Sequence, residues 1–169
     1  MKLELNPYIH LKRLWFLSFY YILILCLLYF SSDVKYMTFF CLLALAIFTI
    51  PTIYIHLNYY EYAKNQIVFL EDTLIKIQLI ESGSVSIIPL ESIKIVNLHM
   101  SGTKIAKMGS KNFMFEEYFY FEIISADDKR FIVNSLYNND IDDVFKKKYP
   151  SIKIETINAY YPLITDQTL

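Results

Sequence analysis

Glycine is almost missing from this chain, with three in 169 residues. A loop that cradles phosphate needs several glycines close together, so nucleotide-binding loops of that kind are excluded. Cysteine is nearly as scarce. Cys26 and Cys41 both fall in the apolar N-terminal third, so no disulfide framework can form in the rest of the chain. The three histidines, His10, His56 and His99, stand far apart, and no HExxH, CxxC or GxGxxG pattern occurs. A basic excess is lacking too: 16 Lys and Arg stand against 17 Asp and Glu, which excludes nucleic acid as an expected partner. Charge of either sign is absent from two long stretches, Leu14–Ser32 and Tyr36–Tyr60, parted only by Asp33-Val34-Lys35.

Those two runs carry the first positive expectation. A hydrocarbon core about 30 Å thick needs roughly 20 mostly apolar residues in helical form. Both runs reach that length, and so short a break allows only a tight antiparallel hairpin. The expected organisation is a segment 1–13 on the cytoplasmic side, a transmembrane hairpin over 14–60 with helices at about 14–32 and 36–58, a separate body over 61–158, and a frayed tail over 159–169. Lys2, Lys12 and Arg13 precede the first run and Lys64 and Lys76 follow the second, while Lys35 alone lies in the turn. That asymmetry predicts a multi-pass protein of the cell inner membrane with both termini cytoplasmic. Trp15, Tyr59 and Tyr60 are the expected interfacial anchors. Pro51 lies inside the second run and predicts a kink there. The two cysteines read as small apolar packing residues.

After Tyr60 the hydrophobic period changes from helix to strand. Twelve Lys and Arg and fifteen Asp and Glu fall in these 109 residues, a density normal for a globular domain. Strands are expected over Asn65–Leu70, Thr73–Ile80, Val85–Leu90, Ser92–Leu98, Phe113–Ser125 and Arg130–Ser135, with a short last one over Ile152–Ile157. Gly83 supplies a turn, and Pro89, which has no N–H to donate, marks an edge or a boundary. Between the strands at Arg130–Ser135 and Ile152–Ile157 lies a helix. Asn138 or Asn139 can cap it, Asp140, Asp142 and Asp143 occupy its first turn, Lys146–Lys148 its last, and Pro150 follows. Ile141, Val144, Phe145 and Tyr149 share one of its faces.

A strand meander closed by a C-terminal helix, with Leu74–Ile77 before Gly83, Ile88-Pro89-Leu90-Glu91-Ser92-Ile93, Tyr120–Ile124, Phe131–Ser135 and Ile141–Pro150, resembles the small bacterial pleckstrin-homology (PH) domains, and in particular the YyaB-like and sublancin-immunity type. The resemblance covers residues 65–155 or so. It implies an α+β fold in which the hairpin is followed by a PH-like antiparallel β-barrel or sandwich capped by a C-terminal helix. It also implies a bacterial, non-enzymatic module for contact with a protein or a lipid surface. Its sublancin-immunity branch implies an alternative, self-protection against a membrane-active bacteriocin or toxin. The turn Leu70-Glu71-Asp72-Thr73 departs from phosphoinositide-binding PH domains, whose first hairpin is basic, and argues against headgroup recognition of that kind.

No residues gather into an expected catalytic, cofactor or metal site. Glu116 and Glu117 are adjacent and would point to opposite faces of a strand. Asp140, Asp142 and Asp143 lack the glycine and distal glutamate of a calcium loop. A membrane enzyme or small transporter would need polar groups within the spans, and Asp33, Lys35 and His56 all lie at their ends. The most suggestive polar feature is Lys104, Lys107 and Lys111 in a long segment without acidic residues from Met100 to Phe115. Each lysine near an anionic surface contributes on the order of 1 kcal/mol, so these three are the expected contact with anionic lipid or with another membrane protein. The lipid bilayer is the partner the hairpin implies.

Overall fold

The computed structural model describes residues 1–30, 34–106 and 114–165. A two-residue strand, β1 (Lys2–Leu3), precedes α1 (Pro7–Phe30). The second apolar run forms α2 (Val34–Ala44), a π-helical turn at Leu45–Thr49, and α3 (Ile50–Lys64). Strands β2 (Gln66–Leu70), β3 (Leu74–Leu79) and β4 (Val85–Pro89) follow, then β5 (Ile93–Met100), a single helical turn α4 (Gly102–Ile105), β6 (Tyr120–Ser125), β7 (Arg130–Asn134), α5 (Ile141–Lys148) and β8 (Ile154–Asn158). One sheet runs β1-β2-β3-β4 and the other β7-β6-β5-β8. All pairings are antiparallel except that of β8 with β5.

The alternating pattern read from the sequence is the pattern of the sheets. Val68 and Leu70 on β2, Ile75 and Ile77 on β3, Val96 and Leu98 on β5, and Phe121 and Ile123 on β6 all point into one core. Helix α5 closes it by stacking Phe145 on Phe121, ring centroids 4.7 Å apart. Gly83 adopts a positive φ of 66° in the β3–β4 turn, and Pro89 ends the edge strand β4. The expected strand from Phe113 begins only at Tyr120, because Met114–Glu117 coils into a 3₁₀ turn that carries Glu116 and Glu117 out of strand geometry. Asn139 does not cap α5: its Oδ1 accepts from Arg13. The tail is not frayed over its described part, since Ile164 is buried and exchanges two hydrogen bonds with Asn58.

The transmembrane hairpin expected at 14–60 is overturned. Among the described residues no helix is long and apolar enough to cross a membrane. The physical reasons lie in both arms. Helix α1 has 24 residues, but Ile9 and Arg13 are buried against the rest of the protein, and only Leu14–Phe30 follows them. Those 17 residues span about 26 Å, short of a 30 Å core. The second arm is not one helix: the π turn leaves pieces of 11 and 15 residues, and Thr52, Ile55, His56, Tyr59 and Ala63 of the latter are buried inside the protein. Pro51 explains the break, because it has no N–H for the carbonyl four residues earlier and the turn before it widens. The multi-pass inner-membrane placement with both termini cytoplasmic falls with the spans it rested on. Of the cysteines, Cys26 is exposed and Cys41 buried, and both are free thiols.

Candidate interaction site

Two regions stand out beside the strand core: a polar cluster buried where the helices meet the sheets, and an apolar surface further out on the same helices. The first turns of α1 place His10 and Arg13 one turn apart on one face, and α3 does the same for His56 and Tyr59. Arg13 reaches between α1 and the second sheet. Its guanidinium donates to Ser135 Oγ at 3.2 Å, to the carbonyl of Glu117 at 3.2 Å and to Asn139 Oδ1 at 3.0 Å, and it lies 4.4 Å over the Tyr118 ring. These are charge-assisted bonds from a fork that lysine could not reproduce.

His56 extends the cluster toward the surface. Its Nδ1 lies 2.7 Å from the Tyr118 hydroxyl and its Nε2 lies 3.0 Å from His10 Nδ1. These two contacts join the Tyr118 hydroxyl and the rings of His56 and His10 in one row, with donor and acceptor set by the tautomer of His56. Arg13, over the Tyr118 ring, adjoins one end of that row. Burial, then the neighbouring His10 and the cationic Arg13, push the pKa of His56 down to about 4, so it is neutral near pH 7. Burial raises Tyr118 and Tyr59 above the ordinary phenol range and lowers Arg13. His10 stacks against both His56 and Tyr60 at 4.8 Å. His56, expected at the end of a span, is 2% exposed and packed inside the protein.

The apolar surface lies beyond this junction. Phe19, Ile22 and Leu25 on α1, and Phe39, Phe40 and Leu42 on α2, are each more than half exposed. Helices that are apolar on every side are ordinarily covered by something.

The residues singled out from the sequence scatter among these features. Trp15 is exposed on α1. Tyr59 is fully buried, its hydroxyl donating to the carbonyl of Pro162 at 2.7 Å, and Tyr60 is half-buried beside His10. Lys104, on α4, sits 3.3 Å over the Phe119 ring and 3.7 Å from Asp142. Lys107 and Lys111 lie outside the described residues. His99, on β5, stacks on Tyr120 at 4.4 Å and faces Glu122, which also holds Asn97 and Arg130. Among the described residues no group of His, Cys, Asp or Glu could hold a metal ion. The cluster of His10, Arg13, His56 and Tyr118 is invisible to local reading because its members are up to 108 positions apart. The only signal is that polar groups recur one turn apart at the inner ends of apolar helices.

The profile of the PH domain family matches residues 5–140. This chain belongs to the PH domain family. The matched region takes in α1, α2 and α3 as well as β2 to β7, so the family fold begins before the strands rather than after a separate anchor. PH domains are modules of interaction with proteins or lipids, and the sheets and closing helix of this PH domain agree with that membership. No curated protein and no solved structure matches the chain.

Proposed function

We propose that this PH domain is a non-enzymatic interaction module that docks onto a lipid surface through the apolar faces of α1 and α2. The carrying observation is the exposure of Phe19, Ile22, Leu25, Phe39, Phe40 and Leu42 on these two helices. A protein partner would call for polar groups spaced through the patch, about one hydrogen bond for every 100–200 Å². From Leu14 to Phe30 and from Tyr36 to Ala44 there is no charged side chain, which suits acyl chains better. Contact from one side requires no crossing. Trp15 stands at the boundary between this surface and the buried junction, where an indole suits the headgroup level. Lys104, Lys107 and Lys111 are proposed as a second contact, with anionic headgroups. Protection against a toxin would be one use of such a module, with the toxin as its partner.

Vesicle flotation of the full chain tests this reading. The chain should float with phosphatidylcholine vesicles, and more completely when phosphatidylserine is added. Phe39→Glu combined with Phe40→Glu should abolish flotation, and changing the three lysines to Glu should remove only the gain from phosphatidylserine. A chain that stays in the aqueous fraction with both compositions, or charged variants that float as well as the native chain, would overturn it.

A further inference from the structure

The two sheets part along β7, the free edge of the second sheet, and the gap there is a groove of about 510 Å³. Its far wall is the end of the first sheet's inner face, where Gln66 stands opposite Leu79 and Ile77 opposite Ser86. The near wall is β7 itself.

The register states which backbone groups of β7 are spoken for. Lys129 and Ser135 bond to β6 at either end, Ser125 N donating to Lys129 O and Ser135 N to Phe119 O. Hydrogen-bonded and open pairs alternate in an antiparallel ladder. Phe131 and Val133 therefore turn their N–H and C=O groups to β6, while those of Arg130, Ile132 and Asn134 turn outward. One observation checks the deduction: Gln66 Nε2 donates to the carbonyl of Ile132 at 2.6 Å. A side-chain amide already occupies a place that a peptide amide would take. The Asn134 end is covered, its side chain donating to the carbonyl of Tyr59 on α3. With the Ile132 carbonyl held by Gln66, the groups left open are the N–H and C=O of Arg130 and the N–H of Ile132.

The groove beside it is apolar within, and its rim carries Glu61, Glu81 and Arg130, the last paired with Glu122 at 3.3 Å. Leu79 is 41% exposed although its strand neighbours on the same face, Ile75 and Ile77, are buried. Glu81 is exposed at the rim, and no ion pair holds it among the described residues, whereas Glu61 pairs with Lys64 at 2.8 Å.

We propose that this groove takes an extended peptide segment of a partner protein, added as a strand to the edge of β7. One apolar side chain of the segment would rest on Leu79 and Phe131, and a neighbouring lysine or arginine would meet Glu81. The backbone edge selects a strand, since acyl chains have no use for outward N–H and C=O groups. The carboxylate selects a basic residue beside the apolar one. The site is separate from the helical surface and stands whether or not that surface meets lipid.

The probe is an end-blocked eight-residue peptide alternating Val or Ile with Lys, together with the same peptide N-methylated at every second residue. Amide hydrogen exchange is followed in the full chain. The plain peptide should slow exchange at Arg130 and Ile132 about tenfold at saturation, and the methylated one should bind at least about tenfold more weakly. Leu79→Lys and Glu81→Lys, both at exposed positions, should each weaken binding by a similar factor without changing the unbound spectrum elsewhere. Equal binding of the two peptides, protection confined to another strand, or no binding at about 1 mM would overturn the proposal. So would protection of the same amides by a short-chain phospholipid but not by the peptide.

Discussion

Arg13 is the residue on which the junction of helices and sheets depends. It is 6% exposed; carbonyls, a hydroxyl, an amide and the Tyr118 ring surround its guanidinium, and the nearby Glu117 carboxylate favours its charge. Replacing it with Met would leave those acceptors buried and unbonded, at about 3 kcal/mol. Arg13→Lys keeps the charge but loses the fork and should recover only part of that. Denaturant melts of the two variants check the order. His56 makes a second prediction, from its proton balance. Unfolded, it takes a proton near pH 6.5; folded, near 4, with His10, Arg13, Tyr118 and Tyr59 around it. Between those values the unfolded chain binds the extra proton, so the His56 contribution to stability falls as pH drops from about 6.5 to about 4 and is level below. The loss is at most about 3 kcal/mol. His56→Gln, which cannot titrate, should flatten that part of the profile; an unchanged slope would mean other groups carry it.

Elements differ in how openly the sequence declares them. Helix α5 is legible because acids, apolar face, lysines and proline follow one another in the order its dipole and packing require. The strands are legible because alternate residues differ so sharply. The break in the second apolar run is not: Leu45–Thr49 is as apolar as its flanks, and hydropathy cannot distinguish a helix destined for lipid from one whose inner half is buried by sheets. Nor does anything local announce that Asn139 serves Arg13 rather than α5. Two substitutions separate the contributions that hold α5. Phe145→Ala removes a fully buried ring stacked on Phe121 and should cost about 3–5 kcal/mol. Lys148→Ala breaks an ion pair with the exposed Asp72 and a distant contact over the Tyr149 ring, and should cost under about 1 kcal/mol. Thermal melts of both give the ratio; similar losses would mean that the ion pair, not the packing, fixes the helix.

At the scale of the molecule, the helices and sheets share one core. Leu3 and Ile9 from the N-terminal elements and Ile55, Tyr59 and Ala63 from α3 pack in the same cluster as Val68, Tyr118 and Phe121. Asn134 on β7 bonds the backbone of α3, Arg13 bonds the β7–α5 connection, and the N-terminal ammonium donates to the carbonyl of Leu70 at 2.7 Å. A chain cut before Glu61 would lose all of these at once. The faces of Tyr118, Tyr120 and Asn134 that now meet α3 would be opened to water, and polar groups satisfied by the helices would have to find solvent. Burying a large aliphatic or aromatic side chain contributes about 1.5–3 kcal/mol, so losing Leu3, Ile9, Ile55 and Tyr59 removes about 6–12 kcal/mol, comparable with the 5–15 kcal/mol by which a domain is ordinarily stable. The fragment 61–169 should therefore show poor amide dispersion and no cooperative melt, while the full chain melts in a single transition. A fragment with native dispersion and a melting temperature near that of the full chain would mean that the sheets stand alone and that the helices are an appendage.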